Sequence, residues 1–180
     1  MIHPMEHNPE RIEAIKTAWE RNGRALELRP AVGQKTAVTK VRIIEGVHCE
    51  AEEGRWKLAA DASEKSGGTA AGPDPGFIVR SALGTCLAMG YVTWAAHLGV
   101  PVSNVEVEIH ADFDARGQHG VEGIPPGYSE IRYQVRIESA APETDVARVV
   151  EAADRASMVG DVFARAHRLV RQLTVTRPGA

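Results

Sequence analysis

The chain has 180 residues, a quarter of them charged, with 43% hydrophobic residues and a formal net charge of -3. That length suits one domain with a substantial core, and the lack of a basic excess argues against nucleic acid and anionic membrane surfaces as partners. Two cysteines are too few for a disulfide framework, so the expected setting is a reducing cytoplasm.

No basic segment followed by an apolar run opens the sequence, so no signal peptide is expected. Residues 1–8 read as a loose lead-in. His3 and His7 are four apart, but Pro4 argues against a helix that would pair them as metal ligands. Asn8-Pro9 then starts an amphipathic helix with Ile12, Ile15, Ala18 and Trp19 on one face, and Gly23 is expected to stop it. From Thr36 the pattern turns to strands. Val38, Val41, Ile43 and Ile44 make a first run. Val47 to Glu52 and Arg55 to Ala60 make two more, joined by a turn at Glu52-Glu53-Gly54. Ser66 to Pro73 is a flexible connector, and its glycines lack the spacing and the lysine of a phosphate loop.

Gly72-Pro-Asp-Pro-Gly then leads into the most informative stretch. Pro75 suits the first turn of a helix, and Phe77, Ile78, Val79, Ala82, Leu83, Leu87, Met89, Val92, Trp94 and Ala95 make that helix apolar on nearly all faces. Gly99 and Pro101 end it. Arg80 and Ser81 interrupt the apolar run, and the segment reads as too short for a membrane span. A helix apolar all round is a buried central helix, and it carries Cys86. A thiol there is either an inert packing group or a reactive group in a shaped pocket.

Val105, Val107, Ile109, Ala111 and Phe113 alternate with Glu106, Glu108, His110 and Asp112, which predicts a strand with one wet face. After a loop from Arg116 to Gly127, Ile131, Tyr133, Val135 and Ile137 alternate with Arg132, Gln134 and Arg136. The opposite charges suit an antiparallel pair. A helix is expected from about Glu143 to Ala156, a second short one capped by Ser157 and running to about His167, and a last strand from Leu169 to Val175.

This order of elements resembles the OsmC/Ohr superfamily of osmotically induced and organic-hydroperoxide-resistance proteins. Its anchors are Gly72-Pro-Asp-Pro followed by Ala82-Leu-Gly-Thr-Cys-Leu-Ala-Met, and the helix pair from Val149 to Phe163. The resemblance covers roughly residues 36–176, which leaves 1–35 as an N-terminal extension and 36–180 as the OsmC-like domain. It implies an α+β fold, with antiparallel sheets wrapped around two central helices in an intertwined homodimer. It also implies thiol peroxidase chemistry. One cysteine thiolate attacks a hydroperoxide, a second cysteine resolves the sulfenic acid to a disulfide, and an arginine and a glutamate assist.

Cys86 sits at the position of the reactive cysteine. The resolving position falls on Ser157, and the position of the helper glutamate falls on Gly76. The arginine belongs to the N-terminal strands, where Arg42 is the candidate and Arg24, Arg29 and Arg55 are alternatives. Cys49, on a strand, is the only other thiol and reads as a packing residue. Ser157 also reads simply as a helix N-cap, Asp74 as a charge favouring a helix start, and Tyr91, Met89 and Trp94 as core or dimer packing. His97, His110 and His167 show no ligand spacing, so no metal and no cofactor are expected.

Two functions follow. One is a one-cysteine enzyme that reduces organic hydroperoxides, with an external thiol as its reductant. The other is a catalytically degenerate module of the same fold that binds a small apolar or electrophilic molecule.

Overall fold

The computed structural model describes residues 8–177. The lead-in with His3 and His7 lies outside the described residues, apart from Asn8. Asn8 caps the first helix, α1 (Pro9–Leu28), by accepting from the Glu10 and Arg11 amides. Gly23 does not stop α1. A glycine inside a helix costs only about 1 kcal/mol relative to alanine, which tertiary contacts can offset. The stop comes at Arg29, which precedes Pro30 and leaves the helical region at φ -140 and ψ 73. Trp19 of α1 meets Trp94 edge to face, with ring centroids 5.4 Å apart, so α1 docks on the second helix.

Three strands follow a 3-10 turn at Pro30–Gly33: β1 (Lys40–Glu45), β2 (His48–Glu53) and β3 (Trp56–Ala60), an antiparallel sheet in the order β1-β2-β3. The turn between β2 and β3 is Gly54-Arg55, one residue later than the sequence pattern indicates, and Gly54 takes the positive φ it requires. Register places Ile43 opposite Cys49 and Cys49 opposite Ala60, and likewise Val41, Ala51 and Leu58. One face of this sheet is therefore apolar. The other carries Lys40, Arg42, Glu50, Glu52 and Lys57, with ion pairs Arg42–Glu52 at 3.4 Å and Lys57–Glu50 at 2.9 Å.

Asp61 ties this sheet to the connector. It is buried, and its carboxylate accepts from the Thr69 hydroxyl at 2.7 Å and from the amides of Thr69, Ala71 and Ala62. The Thr69 hydroxyl first, then these backbone N–H groups, hold its pKa down to about 2, against an ordinary value of 3.8. A depressed carboxylate adds stability that is complete above its unfolded pKa and is lost as pH falls through the folded one. Acid melting should therefore show a loss of stability from about pH 4 toward pH 2 that Asp61→Asn reduces, the rest coming from the other depressed carboxylates such as Asp112 and Asp161.

The central helix, α2 (Pro75–Leu98), is bounded as its caps dictate. Asp74 accepts from the Phe77 amide at 2.8 Å, and Gly99 adopts φ 69 at the end. At 24 residues it meets the length and composition of a membrane-crossing helix, a test that the core helix of a folded domain also meets. Here it is the scaffold on which the rest of the chain packs. Strands β4 (Asn104–Phe113) and β5 (Tyr128–Glu138) form an antiparallel ribbon, separated by a loop with one helical turn, α3 (Ala115–Gln118). Val105, Val107 and Ile109 pair with Ile137, Val135 and Tyr133. This inner face packs with Leu83, Leu87 and Tyr91 of α2. The outer face is charged, with Arg132–Asp112 at 2.6 Å. Helices α4 (Glu143–Arg155) and α5 (Met158–Ala164) complete the core through Val149, Ala153 and Phe163.

Two expectations fail at the C-terminal end. Helix α5 stops at Ala164 rather than near His167, because Arg165 is extended at φ -125 and ψ 147. No strand forms over Leu169 to Val175. The segment is rich in apolar and β-branched residues, but a strand needs an edge to bond to, and Leu169 and Leu173 stay 95% and 78% exposed.

Candidate functional site

Cys86 lies on α2, half-buried, one residue before the buried Leu87. Helix α5 brings Ser157 to it, and Cys86 Sγ lies 3.5 Å from Ser157 Oγ. Ser157 is buried and caps α5, its Oγ accepting from the Gly160 amide at 3.0 Å. A hydroxyl has one hydrogen and two lone pairs. The Gly160 amide takes a lone pair, so the hydrogen is free to be donated to the sulfur. The cap and the polar contact to Cys86 are therefore one and the same serine, held in place by local helix geometry.

Behind Ser157 a cavity of about 590 Å3 is lined by Leu83, Leu87, Ile131, Tyr133, Asp154 and Phe163, among others. Its size is that of a small-molecule site. Asp154 stands in its wall between two phenols. Tyr91 Oη, fully buried, donates to Asp154 Oδ1 at 2.7 Å, and Tyr133 Oη donates to Oδ2 at 3.2 Å. Burial, and then Asp154, push the Tyr91 phenol well above its ordinary range, so it remains a donor; Tyr133 is raised in the same way. This pair of bonds anchors the end of α4 three residues before Ser157. It thereby fixes the joint that presents Ser157 to Cys86.

The other expected parts are not at this pair within the chain. Arg42 lies on the charged face of the N-terminal sheet and pairs with Glu52. Arg24 and Arg29 are exposed in and after α1, and Arg55 sits over the Trp56 ring at 4.8 Å. Cys49 lies on the apolar face of β2, and both thiols are free. At Gly76 an added Cβ would stand 2.9 Å from Asp74 Oδ1 and 3.0 Å from Arg80 Nη1, so a side chain there would have to displace the Asp74 carboxylate, with a smaller adjustment of the Arg80 guanidinium. Among the described residues no group of three histidine, cysteine or acidic side chains is close enough to hold a metal ion.

Sequence reading missed Arg80, Tyr128 and the Tyr91–Asp154–Tyr133 cluster. Arg80 is visible there only as a break in an apolar helix. The partners of these bonds lie 48, 63 and 21 residues apart and leave no local period.

The OsmC-like protein family matches residues 67–169. Among solved structures, an OsmC-like protein from Mycoplasma pneumoniae aligns with a TM-score of 0.62 at 17% identity, covering 73% of this chain and 89% of that one. An organic hydroperoxide resistance protein OsmC from Legionella pneumophila aligns at 0.51 and 13%, covering 72% and 89%. An OsmC-like hydroperoxide resistance protein from Jannaschia sp. aligns at 0.50 and 20%, covering 76% and 91%. No curated protein matches the chain by sequence. The three structures share its α+β arrangement, and the family match takes in the central helix with Cys86, the β4–β5 ribbon and the α4–α5 joint with Ser157. The chain belongs to the OsmC-like protein family.

Proposed function

We propose that the chain is a one-cysteine thiol protein that reduces organic hydroperoxides, with Cys86 as nucleophile and an external thiol as reductant. The observation that supports this reading is the contact of Cys86 with Ser157, which in turn lines a cavity of small-molecule size that Cys86 itself does not line. The Cys86 thiolate attacks the outer peroxide oxygen, and the O–O bond breaks. The alkoxide takes a proton and leaves as an alcohol, and Cys86 becomes a sulfenic acid. An external thiol then condenses with it, releasing water and forming a mixed disulfide. A second external thiol attacks that disulfide and frees Cys86. Ser157 cannot form a disulfide, but its hydroxyl can donate to the thiolate and to the sulfenate oxygen. Two free cysteines fit a reducing, cytoplasmic setting.

Sulfenic acid trapping on the reduced protein tests this reading. Rapid, peroxide-dependent labelling at Cys86 is expected. Labelling no faster than that of an ordinary free thiol would favour the degenerate binding module. That second reading draws on the engagement of Arg42 with Glu52 and on the missing carboxylate at Gly76.

We further infer that the working form is a homodimer. Helix α2 is apolar all round, yet Phe77 and Met89 remain 54% and 71% exposed, and the apolar face of the β1–β3 sheet is uncovered at Val41, Ile43 and Leu58. Apolar faces this large on a single chain mark an interface. A second copy would cover them and give the unpaired segment at Leu169–Val175 an edge to join. Sedimentation at micromolar concentration should give a dimer, and a monomer there would sink this inference.

A further inference from the structure

Arg80 is the only arginine among the described residues that is not exposed, and no ion pair there includes it. Its one bond is to a neutral group. Nη1 donates to Tyr128 Oη at 3.0 Å, and that hydroxyl donates on to the Gly76 carbonyl at 3.3 Å. The relay fixes the direction of the guanidinium and leaves most of its N–H fork without a protein partner. The nearest carboxylate, Asp74, accepts from the Phe77 amide and makes no ion pair with Arg80, so no bonded anion neutralises the half-buried guanidinium.

Arg80 looks into a groove of about 770 Å3 whose apolar wall is Val79, Ile109, Ala111 and Phe113, with the Gln118 amide on the lining. Val79 and Phe113 are 40% and 52% exposed, so the wall is open to solvent within the chain. The only other charge on the lining is Asp74, which is engaged by the Phe77 amide at the start of α2. One free guanidinium beside one carboxylate fits a monoanion and opposes a polyphosphate.

We propose that this groove binds a small amphipathic carboxylate. The carboxylate lies on the Arg80 fork, with Gln118 as a second donor, and the hydrocarbon runs along Val79, Ile109, Ala111 and Phe113. A guanidinium matches a carboxylate in two parallel bonds, and Tyr128 holds the fork in place for them. The lining holds neither Cys86 nor Ser157 but does include Gly76, the position that the resemblance gives to the helper glutamate; ligand binding is therefore read by titration, separately from peroxide-dependent labelling of Cys86.

Calorimetric titration of the whole chain with sodium decanoate and with decanol tests it. Decanoate should saturate at one equivalent per chain and bind roughly tenfold to a hundredfold tighter than decanol. Arg80→Gln should remove that preference and leave decanol binding unchanged. Ala111→Phe, which fills the groove from β4, should weaken both ligands and keeps the test open if the first variant does not fold. Equal affinity for acid and alcohol would overturn the proposal, as would decanoate binding untouched by Arg80→Gln. So would the absence of saturable decanoate binding, the result expected if a second copy of the chain covers the groove.

Discussion

Cys86→Ser is expected to abolish peroxide-driven sulfenic acid formation, leaving only the background from Cys49, while the fold survives. The two side chains are close in shape, and the introduced hydroxyl can still bond to Ser157 Oγ across the α2–α5 contact. Stability should shift by no more than about 1 kcal/mol, because the site is half-buried and loses no large apolar group. Reactivity should vanish because a serine hydroxyl is not ionised near neutral pH and no general base stands beside it, whereas a thiol is partly thiolate there. Site-resolved mass analysis after peroxide and a sulfenic acid trap measures the first effect, and thermal melting the second. A variant that consumes peroxide at the natural rate would place the chemistry elsewhere and end the assignment of Cys86.

The parts of the fold legible in the sequence are those specified locally. Helix α2 can be bounded from Asp74-Pro75 and Gly99, because caps act on their own first and last turns. Strands β4 and β5 are visible in their alternation, and their pairing in the opposite charges of Glu106 and Arg136. Gly23 misleads because its helical cost is small beside the docking of Trp19 on Trp94. Leu169 to Val175 misleads because apolar, β-branched composition favours an extended chain without saying whether an edge exists to receive it. The site divides in the same way. Cys86 and Ser157 are legible through two motifs that resemble a family. Asp154, held by Tyr91 and Tyr133, and Arg80, held by Tyr128, are contacts between elements far apart in the chain, and only the assembled fold displays them.

Ser157→Cys is expected to close a disulfide to Cys86 on peroxide treatment, where the natural chain forms none. The two side chains already meet at 3.5 Å. A disulfide brings its sulfurs to about 2.05 Å, and the longer C–S bond together with a rotation about χ1 covers the difference. Before oxidation the variant should be less stable by about 1 kcal/mol, because a thiol replaces the hydroxyl that caps α5 through the Gly160 amide. After oxidation the order reverses. The bridged residues are 71 apart in the sequence, and closing such a loop removes unfolded-state freedom worth roughly 4 kcal/mol on the chain-entropy account. The oxidised variant should thus melt above the natural chain and the reduced variant below it. Non-reducing peptide mapping identifies the bridge. In the natural chain, oxidation should end at the sulfenic acid, or at a mixed disulfide with added thiol, since Cys49 is paired with Ile43 and Ala60 within the N-terminal sheet and a bridge needs Cα atoms within roughly 7 Å. A Cys49–Cys86 bridge would make Cys49 the resolver. A variant that never bridges would show that the Cys86 sulfur is not the atom peroxide oxidises, or that it turns away from α5 when it reacts.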